Sequence, residues 1–230
     1  KPPVNKINDL KNLKKLKLDK VYFNFNFRYF IFIDLIKKYK KKLGNLIHGN
    51  IILSHGLIKK KEFLKSWRSK ISENKLGVFE NVTIHWIDFI NYLFKIKKIE
   101  KKYFLKTSKK NYIDSLITTI RNYDNSVINI FNSYNAPYDK DLKFIFDNGL
   151  ISQKDNTIEI RGPAMNLDKR KNFIKPKLIK KIIINNNSDY NNSLVKSINF
   201  FLKYAMNKKK FPKNLNNLAI EANEMILKIK

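Results

Sequence analysis

The chain has 230 residues, with 48 Lys or Arg against 19 Asp or Glu, and a formal net charge of +29. It lacks cysteine, which excludes a disulfide framework, a Cys-ligated zinc and a Cys nucleophile. Self-repulsion at this charge implies a polyanionic partner; cations spread along the whole length favour nucleic acid, with an anionic membrane surface second.

A hydrophobic fraction of 43% can support a buried core. Lysine far outnumbers arginine, and Asn, Ile, Phe and Tyr are abundant, which is the codon signature of an AT-rich genome and suits an organelle. The most apolar run, 27–36, is too short to cross a bilayer and contains Arg28 and Asp34, so no membrane insertion is expected.

In chain order, residues 1–20 read as a basic N-terminal arm in which Leu10, Leu13, Leu16 and Leu18 allow one short amphipathic helix. Alternation of apolar residues over 21–27 predicts a strand. A helix over 28–42 follows, with Phe30, Ile31, Ile33, Leu35 and Ile36 inward, ending in Lys37, Lys38, Lys40, Lys41 and Lys42. Ile47, Ile51, Leu57 and Ile58 predict a second helix over 46–58. Residues 61–110 hold Phe63, Leu64 and Trp67 and a predicted helix over 85–106 that presents Trp86, Phe89, Ile90, Leu93 and Phe94. Ile113, Leu116, Ile117, Ile120, Val127, Phe131 and Tyr134 predict a long helix over 111–135.

A β-ribbon over 138–180 is expected next. Leu142, Phe144 and Phe146 alternate, Asp147-Asn148-Gly149 gives a turn, Thr157–Ile160 a second strand and Phe173–Ile179 a third. Residues 180–192 read as an Asn-rich loop. Two helices close the sequence. In the first, Leu194, Val195, Ile198, Phe201, Leu202 and Ala205 share a face, so Leu202→Asp is expected to unfold the protein. In the second, Leu215, Leu218, Ala219, Ala222, Ile226 and Ile229 repeat the spacing, with Pro212 in the link.

Chemistry-bearing residues give little. His48 and His55, seven apart, can share a helix face, but with no HExxH spacing and no Cys partner they read as packing or surface residues, as does His85, which lacks a motif partner. Asp139, Asp141, Asp147 and Asp155 lie around turns, where Asp bonds its own backbone. No Gly-rich nucleotide motif and no nucleophile elbow occurs. The expectation is therefore a non-enzyme with no catalytic residue, no metal and no cofactor.

The aromatic-x-x-Pro strand Phe173-Ile174-Lys175-Pro176, with Phe201, Ala205, Leu218, Ala219, Glu221 and Met225 in the two closing helices, resembles the small-subunit ribosomal protein seven family. Residues 32–42 resemble that family's first helix and basic turn. The resemblance implies a mainly α fold: a helical bundle with a projecting β-ribbon and an inserted helical segment. It makes 21–230 a single helical rRNA-binding domain, with insertion 61–110 and ribbon 138–180. It implies a structural constituent of the small ribosomal subunit, placed by codon bias in the mitochondrion. The implied partners are small-subunit rRNA of the head, neighbouring ribosomal proteins, and exit-site tRNA and mRNA. RNA contact is then assigned to Lys37, Lys38, Lys40, Lys41, Lys42, Arg161, Lys169, Arg170, Lys171, Lys175 and Lys177. The alternatives are another lineage-specific organellar ribosomal protein and a degenerate intron-encoded nuclease or maturase.

Overall fold

A computed structural model describes residues 3–70, 75–108, 112–163 and 167–229. Its centre is one sheet made of β1 (Leu46–Ser54), β2 (Ile96–Leu105), β3 (Ser115–Asn122), β4 (Val127–Ser133), β5 (Asp139–Phe146), β6 (Gly149–Lys154), β7 (Thr157–Arg161) and β8 (Leu178–Ile183). The strand order is β2-β3-β4-β1-β5-β6-β7-β8. β1 and β4 run parallel, and every other neighbouring pair is antiparallel. The helices are α1 (Ile7–Lys15), α2 (Ile31–Leu43), α3 (Lys61–Lys65), α4 (Ile84–Phe94), α5 (Asn186–Met206) and α6 (Lys213–Leu227).

Period-two burial explains why the sheet forms. Ile51 on β1, Leu116 and Ile120 on β3, Ile128 and Ile130 on β4, Leu142 and Phe144 on β5, Ile151 on β6, and Ile158 and Ile160 on β7 all face one core. α2, α4 and α6 supply its other half with Phe32, Ile33, Trp86, Phe89, Ala222 and Ile226. Phe144 is central: its ring lies 5.7 Å from Phe32, 6.2 Å from Phe89 and 5.7 Å from Phe94. Burial of one such ring is worth about 1.5–3 kcal/mol. A buried ion pair ties the layers together. Arg28 Nε donates to Asp88 Oδ2 at 2.7 Å, a second guanidinium nitrogen donates to Asp88 Oδ1, and the third donates to the Leu215 carbonyl at 3.0 Å.

The corner from α2 to β1 needs glycine. Gly44 has φ +86°, and its N–H closes α2 on the Lys40 carbonyl at 2.9 Å. A Cβ there would lie 1.7 Å from Asp147 Oδ1, which accepts the Asn45 N–H at 3.1 Å. The corner is thereby pinned to the β5–β6 turn.

The mainly α bundle with a projecting ribbon is corrected at several points. Residues 46–54, expected in a helix, form β1, and 111–135 contributes β3, a turn and β4 instead of one long helix. Leu116 and Ile120 are four apart, a spacing that satisfies a strand as well as a helix. Their β-branched neighbours Ile117, Thr118, Thr119, Val127 and Ile128 and the turn at Asp124-Asn125 decide for strands: Asp124 Oδ1 accepts the Ser126 N–H at 3.0 Å, and Asn125 sits at φ +65°. The expected ribbon, 138–180, supplies β5, β6, β7 and the start of β8, four adjacent strands of the main sheet. The segment 61–110 is no inserted helical unit, since α4 packs on the common core and β2 is a sheet strand. Residues 21–27 carry no strand. The Asn-rich stretch 180–192 completes β8 and begins α5, whose Asn185 cap accepts the Ser188 N–H at 3.0 Å.

The N-terminal segment is tied down: Val4 and Asn223 exchange hydrogen bonds of 3.0 and 3.1 Å, and Leu10 is buried against Ile220 and Leu227. Lys1 and Pro2 lie outside the described residues.

α6 buries Ala219, Ala222 and Ile226 as its spacing predicts. α5 turns the other way. It docks through Ser193, which accepts from Asn26 Nδ2 at 2.9 Å, and Ser197, 2.6 Å from the Tyr22 hydroxyl, leaving Leu202 42% exposed. Leu202→Asp is therefore expected to change stability by about 0.5 kcal/mol or less. A thermal melt checks it, and a collapse of the folded state would place α5 in another phase.

Candidate functional site

Where β1 ends and β5 begins, a cavity of about 310 Å³ opens between the sheet, α4 and the start of α5. A π-helical turn over Phe79–Thr83 leads into α4 and is pinned to β4 by the Thr83 hydroxyl, 2.7 Å from Asn132 Oδ1. Such a turn inserts an extra residue into the helix and re-aims side chains. Phe79 and Ile84 go to the core, while Asn81, Val82 and His85 border the cavity. The His85 ring packs 5.5 Å from Phe25 and 4.8 Å from Phe27. Phe27, Phe30 and Trp86 give the cavity its aromatic wall, and Trp86 Nε1 is buried without a protein acceptor among the described residues.

Opposite stands Lys140, which is 6% exposed because its place on β5 points to the core side. Its ammonium lies 4.6 Å over the Phe30 ring and 3.4 Å from Asn186 Oδ1. Asn186 is itself fixed, accepting from Gln153 Nε2 at 2.8 Å and donating to the Asp155 carbonyl at 2.9 Å. Burial pushes the Lys140 pKa below its ordinary value, and the Asp189 charge opposes that. Burial also raises the Asp189 carboxyl, against the Ile31 N–H at 3.2 Å and the Lys140 cation. His55, just past β1, packs 5.2 Å from the Tyr134 ring, and burial lowers its pKa, so it is neutral at pH 7. Tyr138 and Tyr190 complete the rim.

An imidazole, a buried ammonium, several amides and phenols, and an aromatic wall thus share one cleft. Such a set can hydrogen-bond a polyhydroxylated ligand, pack against its apolar face, exchange a proton and stabilise an oxyanion.

The residues assigned to RNA lie at the other end of the sheet. Lys37 reaches Tyr92, its ammonium 2.5 Å from the hydroxyl and 4.1 Å above the ring. Lys38, Lys40, Lys41 and Lys42 are exposed on the last turns of α2. Arg161 binds Glu159 at 2.9 Å and the Pro176 carbonyl at 3.2 Å. Lys169, Arg170 and Lys171 occupy a turn held by Asp168, and Lys175 and Lys177 lead into β8. The Lys42 carbonyl accepts from Asn148 Nδ2 at 2.9 Å, while Gly149 sits against the Arg161 backbone and the Lys177 carbonyl accepts the Gly162 N–H at 3.0 Å. The two basic groups therefore converge at one end, and none lines the cavity. His48 and His55, expected on one helix face, sit at opposite ends of β1.

Sequence reasoning missed the cavity residues. His85 stood alone because its neighbours come from β1, β5 and α5. Lys140 was one lysine among many, and its inward position in the β5 alternation Lys140, Leu142, Phe144, Phe146 was the signal available.

No protein-family model and no curated protein matches the sequence. Solved structures do match the fold. Levoglucosan dehydrogenase in complex with NADH and levoglucosan aligns with a TM-score of 0.71 at 14% identity, over 95% of this chain and 68% of that one. An oxidoreductase from Thermotoga maritima gives 0.71 at 14% identity, over 100% and 67%. A dehydrogenase from Clostridium difficile gives 0.70 at 16% identity, over 100% and 68%. These neighbours are oxidoreductases of the Gfo/Idh/MocA family. The chain has the fold of about two thirds of such a dehydrogenase.

That overturns the ribosomal resemblance, whose short motifs fall on α2, just before β8, and on α5 and α6, elements that here build a different fold. With it fall the small-subunit role, the rRNA, ribosomal-protein, tRNA and mRNA partners, the nuclease and maturase alternatives, and the expectation of a non-enzyme. The mitochondrial placement loses the support it drew from that resemblance.

The NADH of the levoglucosan dehydrogenase complex raises the question whether this chain can hold a dinucleotide. A pyrophosphate cradle needs a Gly-x-Gly-x-x-Gly turn from a parallel strand into a helix. The glycines here are Gly44, Gly49, Gly56, Gly77, Gly149 and Gly162, none so spaced. β1, a strand of the one parallel pair, leads through a loop to the five-residue α3. The described residues do not fit a dinucleotide.

Proposed function

We propose that this chain is the substrate-side part of an oxidoreductase, and that the cleft bordered by His85 and Lys140 binds a small polyhydroxylated, sugar-like molecule. The observation that carries the reading is the meeting of His85, Lys140, Asn81, Asn186 and an aromatic wall in one cavity, within a fold shared with dehydrogenases. The amides and phenols hold hydroxyl groups, and Phe27, Phe30 and Trp86 take the apolar face of a ring. His85 exchanges a proton with the reacting hydroxyl or carbonyl oxygen. The Lys140 cation stabilises negative charge on that oxygen. Hydride chemistry would be supplied by a nicotinamide cofactor held outside the described residues.

Tryptophan fluorescence and amide chemical shifts of the 230-residue chain, titrated with a panel of monosaccharides, anhydrosugars and cyclic polyols, test the reading. Saturable binding is expected, with shifts centred on Trp86, His85 and Asn186, weakened about tenfold or more by His85→Ala. NADH is expected not to bind the chain. Shifts confined to another surface, or tight NADH binding, would overturn the proposal.

A further inference from the structure

The end of the sheet opposite the cleft carries a patch of different character. Residues 167–177 project there between β7 and β8, with a turn fixed by the Asp168 carboxylate, which accepts the Arg170 N–H at 2.8 Å and the Asn172 N–H at 2.9 Å. The turn holds Lys169, Arg170 and Lys171 outward. Next to it Phe173 is 89% exposed and Ile174 47%. Lys175 and Lys177 follow, and Lys40, Lys41 and Lys42 converge on the same end from α2, through the Lys42 contact to Asn148. Among the described residues no ion pair takes up these cations.

The combination selects its partner. A phenyl ring standing in water beside an isoleucine costs solvation that an apolar layer would recover, while the surrounding cations need anions. A second copy of this chain is disfavoured, because a two-fold contact would set the same cations face to face, and Lys180 and Lys181 blunt the β8 edge against strand pairing. We propose that this end docks on an anionic lipid bilayer, with Phe173 and Ile174 seated at the level of the headgroups and the cations on lipid phosphates. The attachment is peripheral: among the described residues no helix is long and apolar enough to cross a membrane. β1 spans the sheet from this end to the cleft, nine residues or about 27 Å at the usual rise per residue, so a docked molecule keeps the cleft open to water. The proposal does not depend on what the cleft binds.

Sedimentation of the chain with phosphatidylglycerol-containing vesicles, with pure phosphatidylcholine vesicles and with an RNA duplex tests it. Binding to the anionic vesicles is expected to exceed binding to neutral ones by more than tenfold. The triple change Lys169→Ala, Arg170→Ala, Lys171→Ala is expected to weaken it about 100-fold, from about fivefold per cation. Phe173→Ser, and independently Ile174→Ser, is expected to weaken it several-fold with an unchanged circular dichroism spectrum. Equal binding to neutral vesicles, indifference to both apolar substitutions, or tighter binding to RNA than to anionic vesicles would each overturn the bilayer assignment.

Discussion

Asp88→Ala is expected to destabilise the fold by about 3–5 kcal/mol, the usual result of removing one partner from a buried ion pair. Asp88 is fully buried and Arg28 nearly so, with side-chain exposures of 0% and 4%. Arg28 joins three parts of the molecule: the segment before α2, α4 through Asp88, and α6 through the Leu215 carbonyl. The aromatic faces of Phe25 and Tyr92, 5.6 and 5.8 Å away, cannot replace a carboxylate. Against a total stability of about 5–15 kcal/mol, a loss of that size leaves the protein marginal. The double variant Arg28→Met, Asp88→Leu is expected to regain much of it, since the cost in the single variant comes from the stranded cation. Urea denaturation of both variants measures this, and a midpoint for Asp88→Ala close to wild type would mean that water reaches Arg28.

The helices at the two ends of the chain were legible from the sequence, and the sheet between them was not, for a physical reason. α2 and α6 are amphipathic with long-range partners on one side, so a 3.6-residue period survives in their composition. β1 and β3 sit in an AT-biased sequence where Ile occurs at almost every spacing. There Leu116 and Ile120, four apart, satisfy both periods at once. The deciding features were local: β-branched density over 117–120 and the Asp124-Asn125 turn. α5 shows the opposite failure. Its apolar stripe was read correctly as a stripe but wrongly as the buried face, because the helix docks through two serine hydroxyls that no hydrophobic pattern records. The cleft was illegible for a further reason. Its residues run from Asn26 to Tyr190 and meet only because β1 and β5 pair in the middle of the sheet. The basic residues, by contrast, were identifiable individually; that those of α2 and those of 161–177 share one end depends on the Gly44 and Gly149 corners.

Lys140→Met is expected to separate stability from function in that cleft. Burial lowers the lysine's pKa, so at neutral pH the folded state holds its cation at a cost that the unfolded chain does not bear. Below the depressed folded pKa both states bind the proton, and the cost is fully present. Between that value and the unfolded value of about 10.4 the folded state binds fewer protons, so stability rises with pH across this window. Methionine has nearly the same length and no charge, and it keeps the contact with the Phe30 ring. The variant is thus expected to be as stable as wild type or more so at pH 7, with the difference shrinking as pH rises through the window. Its affinity for a sugar-like ligand is expected to fall about tenfold or more, the usual scale for a lost charge-assisted hydrogen bond. Gln153 would still orient Asn186, so the amide side of the cleft should survive the change. Thermal melts at pH 7 and pH 10, with fluorescence titration of the same preparation, check both halves. A variant that loses stability at pH 7 would show the ammonium to be structural, held by Asn186 and Asp189 more strongly than burial opposes it.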